Sequence, residues 1–333
     1  MTRMSSFRMG TWGWLAFALV PLVPLPSIAE GAVPASAPVL QGETCSVPGL
    51  MDQIRRGLAS KSPAYQRYLR ALLREAAVTL PGAELQAAFE RETDPQMAEH
   101  LAAALVARSE READREAMQV VAKRALEDRD PAVRSATVRA MRRTGALEKT
   151  GDLYARLMRD ASPEVRMEAA TNLVEDNKFV YAGQHGPATD TAVAAAAAST
   201  DPQATAKILA TLNTEKLGAE AAGTLQGLLR SDSADVRRSA ALALGGVPAE
   251  QMGPAREALV AMYRDERDAG VRKALVQGIA QLGFAGAVPE LQRLKGIDPG
   301  MKPEIDAWIR ALETGLQEWE LILREKQRLQ QAP

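Results

Sequence analysis

The chain has 333 residues, 46% of them apolar and only 4% aromatic, and its 41 lysines and arginines stand against 42 acids for a formal charge of −1. That balance gives no electrostatic reason to expect nucleic acid as a partner. The single cysteine, Cys45, excludes a disulfide within the chain. Alanine supplies much of the apolar share and is the best helix former, which suits closely stacked helices.

Residues 1–29 read as a secretory signal. Arg3 and Arg8 make a charged start, residues 12–23 are apolar, and Ser27-Ile28-Ala29 supplies small residues before a cut. Pro21, Pro24 and Pro26 interrupt the apolar stretch, which is short for a membrane span. Cleavage after Ala29 leaves 39 basic against 42 acidic residues. The expectation is an exported bacterial protein, periplasmic or extracellular, with no stable membrane span once the signal is removed. Gly42-Glu43-Thr44 before Cys45 lacks the apolar and small residues of a lipid-attachment signal, so lipid anchoring at Cys45 is not expected. Residues 30–48 are rich in Ala, Pro, Ser and Gly and read as a flexible leader.

A helical region begins near Gly49. Tyr65, Tyr68, Leu69, Leu72 and Leu73 stand at helical spacing after Ser62-Pro63, and Leu85, Ala88 and Phe89 mark the next helix. From Asp94 a phrase recurs. Asp130-Pro131-Ala132-Val133-Arg134 returns as Ser162-Pro163-Glu164-Val165-Arg166, Ser233-Ala234-Asp235-Val236-Arg237 and Asp268-Ala269-Gly270-Val271-Arg272. Weaker copies begin at Asp94 and Asp201. The fourth positions, Met97, Val133, Val165, Ala204, Val236 and Val271, lie 36, 32, 39, 32 and 35 residues apart, the period of a helix-pair solenoid. Asp or Ser fits an N-cap and Pro the first helical position. The apolar stripe continues at helical spacing: Val133, Ala136, Thr137, Ala140 and Met141 in one unit, Val271, Ala274, Leu275, Gly278 and Ile279 in another. These helices are each the second of a pair, with first helices near 114–126, 147–158, 189–199, 219–230 and 255–263. Gly145, Gly245 and Gly283 fit left-handed caps at the ends of second helices. No window alternates with period two, so no sheet is predicted.

The Asp/Ser-Pro-x-Val-Arg phrase resembles HEAT repeats, and its short period resembles the HEAT-like units of many bacterial proteins, phycobilin lyases among them. The resemblance covers residues 94–283. It implies an all-α fold, an α-α superhelix (HEAT/armadillo-type solenoid) over residues 49–300, and is nearly silent on activity. In such repeats an acid near the end of the first helix and a base early in the second stack into a ladder between units. By that resemblance Asp128–Arg134 and Asp160–Arg166 are pairs, and Arg237 and Arg272 continue the series.

The 39-residue interval contains residues 177–187, which show no helical pattern and end in loop formers. Insertions in repeats project as loops on a binding face, and Phe179, Tyr181 and His185 are the candidate partner-binding residues there. After Pro299 and Pro303 one amphipathic helix is predicted to about Gln330, with Trp308 and Trp319 on its apolar stripe, closing the array over residues 301–333 as a capping helix.

The chain holds two histidines, His100 and His185, in no metal-ligand spacing. HEAT-repeat hydroxylases of the deoxyhypusine type carry repeated His-Glu pairs; here Glu99-His100 is reversed and single. No phosphate loop, Gly-x-Ser-x-Gly elbow or Cys/His nucleophile pair is present. The reading is a scaffold, not an enzyme, that binds a protein partner on a concave wall of second helices, with no catalytic residue, cofactor or metal. The alternative is a lyase or isomerase acting on a bound small ligand. A glycosylase-type DNA-binding reading is opposed by charge and by the signal.

Overall fold

The computed structural model describes residues 46–59, 62–111, 114, 116–145, 150, 152–181 and 186–331. The predicted signal, most of the leader and Cys45 lie outside the described residues. Seventeen α-helices and no strand occur among them.

The first helix, α1 (Val47–Leu58), starts two residues before the predicted Gly49, because the Ser46 hydroxyl accepts from the Gly49 amide and Pro48 suits the first turn. It pairs with α2 (Pro63–Thr79). Six further pairs follow the repeat phrases. Their first helices are α3 (Gly82–Arg91), α5 (Ala117–Glu127), α7 (Leu153–Leu157), α9 (Gly186–Ala198), α11 (Ala219–Leu228) and α13 (Ala249–Asp265). Their second helices are α4 (Pro95–Glu110), α6 (Pro131–Ala140), α8 (Pro163–Glu175), α10 (Pro202–Leu209), α12 (Ala234–Leu244) and α14 (Ala269–Gly283). A last pair is α15 (Val288–Ile297) and α16 (Lys302–Leu312), followed by α17 (Trp319–Gln331).

Each second helix packs on the second helices before and after it, and first helices pack likewise, so the array has two layers with the core between them. The N-caps set where the second helices begin. Asp94, Asp130, Asp201 and Asp268 accept first-turn amides at 2.8–2.9 Å, satisfying donors that the helix cannot. Val133, Ala136, Thr137 and Met141 are buried, as are Val271, Ala274, Leu275, Gly278 and Ile279.

The glycines at the helix ends serve differently from the expectation. Gly245 is right-handed (φ −61°), and among the described residues the non-glycine residues with positive φ are Arg143 and Phe284. Gly245 and Gly278 instead allow α12 and α14 to approach: a Cβ on Gly278 would meet the Ala241 carbonyl oxygen at 2.7 Å, and one on Gly245 the Gly278 Cα at 3.1 Å. At the other end, the predicted single helix is broken at Gly315 (φ +78°) into α16 and α17. The break folds α17 back on α16. Trp308 and Trp319 stack with centroids 5.3 Å apart. The buried Glu304 carboxylate accepts from Lys326 at 2.6 Å, Gln330 at 2.8 Å and Trp308 Nε1 at 3.1 Å.

Candidate interaction face

The turns between first and second helices share one hydrogen-bond design. Two residues before each N-cap stands an oxygen-bearing side chain that accepts the N-cap residue's own amide. Glu92, Asp128, Asp160, Ser199, Ser231 and Glu266 do so at 2.8–3.3 Å. That side chain is thereby turned into its own turn, and its carbonyl faces the arginine six residues on. Arg134, Arg166, Arg237 and Arg272 donate to the carbonyls of Asp128, Asp160, Ser231 and Glu266 at 2.7–2.8 Å.

The carboxylate partner of each arginine therefore belongs to the following unit, which corrects the expected pairing of Arg134 with Asp128 and of Arg166 with Asp160. Arg134 binds Asp160 through two nitrogens at 2.7 and 2.8 Å. Arg237 binds Glu266 likewise at 2.7 and 3.1 Å. Arg272 reaches Asp298 at 3.0 Å and Arg166 reaches Asp201 at 3.5 Å. The Asp160 and Glu266 side chains are only 8% and 3% exposed. Burial pushes the Asp160 carboxyl up, but Arg134, the Ser162 amide and Arg166 together hold it below the ordinary range. Arg237 above all, with two backbone amides, holds Glu266 low.

Two departures show what this edge requires. At Ala98 the phrase lacks its arginine, and Arg124 of α5 fills the place, donating to the Glu92 carbonyl and to Asp128 at 2.9 Å. At Thr205 it lacks the arginine again, and the matching acid position one unit on is Ser231. Cation and acid are lost together, so no charge is left buried alone at that step.

On the second-helix layer an open groove of about 840 Å³ crosses the first turns of α4, α6, α8 and α10, lined by Pro95, Gln96, Pro131, Pro163, Met167 and Gln203 among others. Hollows of about 660 and 380 Å³ on the first layer each lie between only two helices. An alternating row of charges begins in the groove wall, at Glu99, Arg139 and Glu168, and continues to Glu175 and Arg143. Arg139 joins Glu99 at 3.0 Å to Glu168 at 3.3 Å, Arg142 joins Glu168 to Glu175, and Arg143 meets Glu175 at 2.8 Å. Lys207 donates to Thr171 at 2.6 Å. The ladder arginines contact their carboxylates along the turn edge, while these pairs occupy the groove side.

The described residues of the expected irregular loop, 177–181 and 186–187, are mostly helical. Residues Asp176–Val180 form a π-helical turn that extends α8, and α9 begins at Gly186. Asp176 and Asn177 are buried, and so is Tyr181, which corrects its place among exposed binding residues: the π turn rotates it into the core. Phe179 is 53% exposed, with the Arg143 guanidinium 4.2 Å and the Lys178 ammonium 5.2 Å from its ring centroid. His185 lies outside the described residues. His100 is buried, its Nδ1 2.8 Å from the Gln96 carbonyl.

Sequence reasoning missed Asp176 and the Arg139–Glu168–Arg142–Glu175 row. The available signal was that these charges recur about one repeat apart on successive second helices. Among the described residues no group of three or more His, Cys, Asp or Glu is placed to hold a metal ion, and no helix is long and apolar enough to cross a membrane.

No family model matches the chain, and no curated protein matches it. Solved structures do resemble it. The Escherichia coli protein YibA is 13% identical, with 84% of this chain and 92% of that one covered and a TM-score of 0.42. A chain from the complex in which Kap95p binds RanGDP is 16% identical, covering 80% of this chain and 40% of that one, with a TM-score of 0.44. Human deoxyhypusine hydroxylase is 20% identical over 84% and 96%, with a TM-score of 0.28. These are likenesses of fold alone. The layered helix pairs and their capped turns make the described residues an all-α solenoid of repeated helix pairs, closed by α17.

Proposed function

We propose that the chain is an exported, non-catalytic scaffold that binds a protein partner along the groove of its second-helix layer. One observation carries the reading: the groove crosses four successive repeats, a length that suits an extended polypeptide better than a compact small molecule. Solenoids present such surfaces because neighbouring repeats repeat the same side-chain positions along one axis. The ladder arginines Arg134, Arg166, Arg237 and Arg272 hold units together on this reading, since each is engaged by a carbonyl and a carboxylate. Phe179, beside the groove's charge row, is the exposed aromatic contact. Export rests on residues 1–29, and cleavage near Ala29 is the expected processing.

The test is affinity capture from the exported fraction with the mature chain as bait. Met167→Asp, in the groove wall, should abolish capture of a partner retained by the native bait, with the helical circular dichroism unchanged. Equal capture by both baits would refute groove binding. A cytosolic protein that retains Met1 would refute export.

A further inference from the structure

Asp176 is fully buried at the junction of α8 and its π turn. Its Oδ1 accepts the Arg143 amide at 2.6 Å, and its Oδ2 is buried with no hydrogen-bond partner. The surrounding cations are committed elsewhere. At the end of α6, Arg143 binds Glu175 through its side chain, while Arg142 binds Glu168, Asn172 and Glu175. From α7, Tyr154 faces the same space, Glu175 of α8 lies close by, and the Tyr181 amide donates to the Asp176 carbonyl at 3.0 Å. Lys178 lies over the Phe179 ring. The amide that Asp176 does hold belongs to a residue in the left-handed region, Arg143 at φ 58°, a conformation costly for a side chain with a Cβ. Among the described residues an ionised Asp176 is thus a buried charge with one donor, tied to a strained residue.

We propose that Asp176 is a proton-dependent tie between the end of α6 and the 176–181 segment: the segment is closed while Asp176 is protonated and opens locally as Asp176 ionises and takes up water. The direction follows from linkage. Burial, ahead of the Arg143 amide and the neighbouring charges, pushes the Asp176 carboxyl from its ordinary 3.8 up to about 7. The closed segment then holds one proton more than the opened one between those values. Opening becomes easier as pH rises through that window and levels off above it. The segment that opens carries Phe179 and Val180, both exposed, so ionisation would change the presentation of that surface. The tie does not depend on the binding role proposed above, because opening is read on the chain alone.

Hydrogen exchange of the amides at 177–181, corrected for intrinsic exchange, tests it on the mature full chain. The opening constant should rise about tenfold per pH unit between roughly pH 4.5 and 6.5 and be flat above about 7. Asp176→Asn should remove that slope. Arg143→Gly keeps the amide that Asp176 accepts while removing the side chain that binds Glu175 and covers Phe179, so it should shift the level of opening but preserve the slope. A native segment with no slope, or an Asp176→Asn segment with the native one, overturns the proposal. Should Asp176→Asn fail to fold, carbon-detected titration of the native carboxyl decides instead: a midpoint near neutrality supports the tie, and one in the ordinary aspartate range sinks it.

Discussion

Asp160 and Asp176 stand at opposite ends of one helix, both with buried carboxylates, and the protein treats them in opposite ways. Asp160 receives two nitrogens of Arg134 and the Ser162 amide. Glu266 in a later turn receives two nitrogens of Arg237 and the amides of Arg267 and Asp268. Asp176 receives one amide, and the nearby guanidiniums serve other acids. Desolvation acts on all three. Only a filled donor set reverses its sign, which is why Asp160 and Glu266 are held low while Asp176 is raised. The turn edge therefore stores stability in its charges, and the π turn stores a liability that pH can release.

The comparison is broken most severely by removing a cation from the filled edge. Arg237→Ala strands the Glu266 carboxylate and should cost about 3 kcal/mol in urea unfolding at neutral pH. A loss below about 1 kcal/mol would mean that water already solvates this edge. Gly278→Ala, which presses a methyl group on the Ala241 carbonyl, should cost about 2 kcal/mol by the same measurement. Arg166→Ala should cost about 1 kcal/mol, because its link to Asp201 is long and its Nε has no partner even in the native chain. Phe179→Ala should stay within about 0.5 kcal/mol, since the ring is mostly exposed, yet weaken partner capture.

Acid sharpens the contrast without mutation. The Glu266 carboxyl lies below its ordinary 4.5 in the folded chain, so its stabilisation is complete above that value and is lost as pH falls below it. Acid unfolding of the native chain below about pH 4.5 should therefore be shallower in Arg237→Ala. Opening of the 176–181 segment runs the other way, easing as pH rises towards about 7.

The period, the N-caps and the second-helix stripe were legible because each is a local pattern: a cap, a proline and apolar residues at fixed offsets. The ladder's arginines were legible for the same reason. Their acids were misread by one unit, because a carboxylate two residues before an N-cap is claimed by its own turn, and sequence spacing cannot show which way it faces. The π turn looks like a loop in the sequence because the window after Asp176 mixes buried Asn177 and Tyr181 with exposed Lys178 and Phe179, matching no 3.6-residue stripe. The break at Gly315 was hidden because the apolar stripe continues in phase across it. The groove has no motif of its own, since it arises only when four first turns stand side by side.

The ladder lies on the turn edge, and recognition is proposed for the second-helix groove. A photo-crosslinking residue placed at exposed Gln203, on α10 in the groove, and separately at exposed Gln119, on α5 of the first layer, tests that division most directly. In the exported fraction, groove binding should give a discrete adduct of one partner from position 203 and none from 119; the same partner trapped from 119 and not from 203 would refute it.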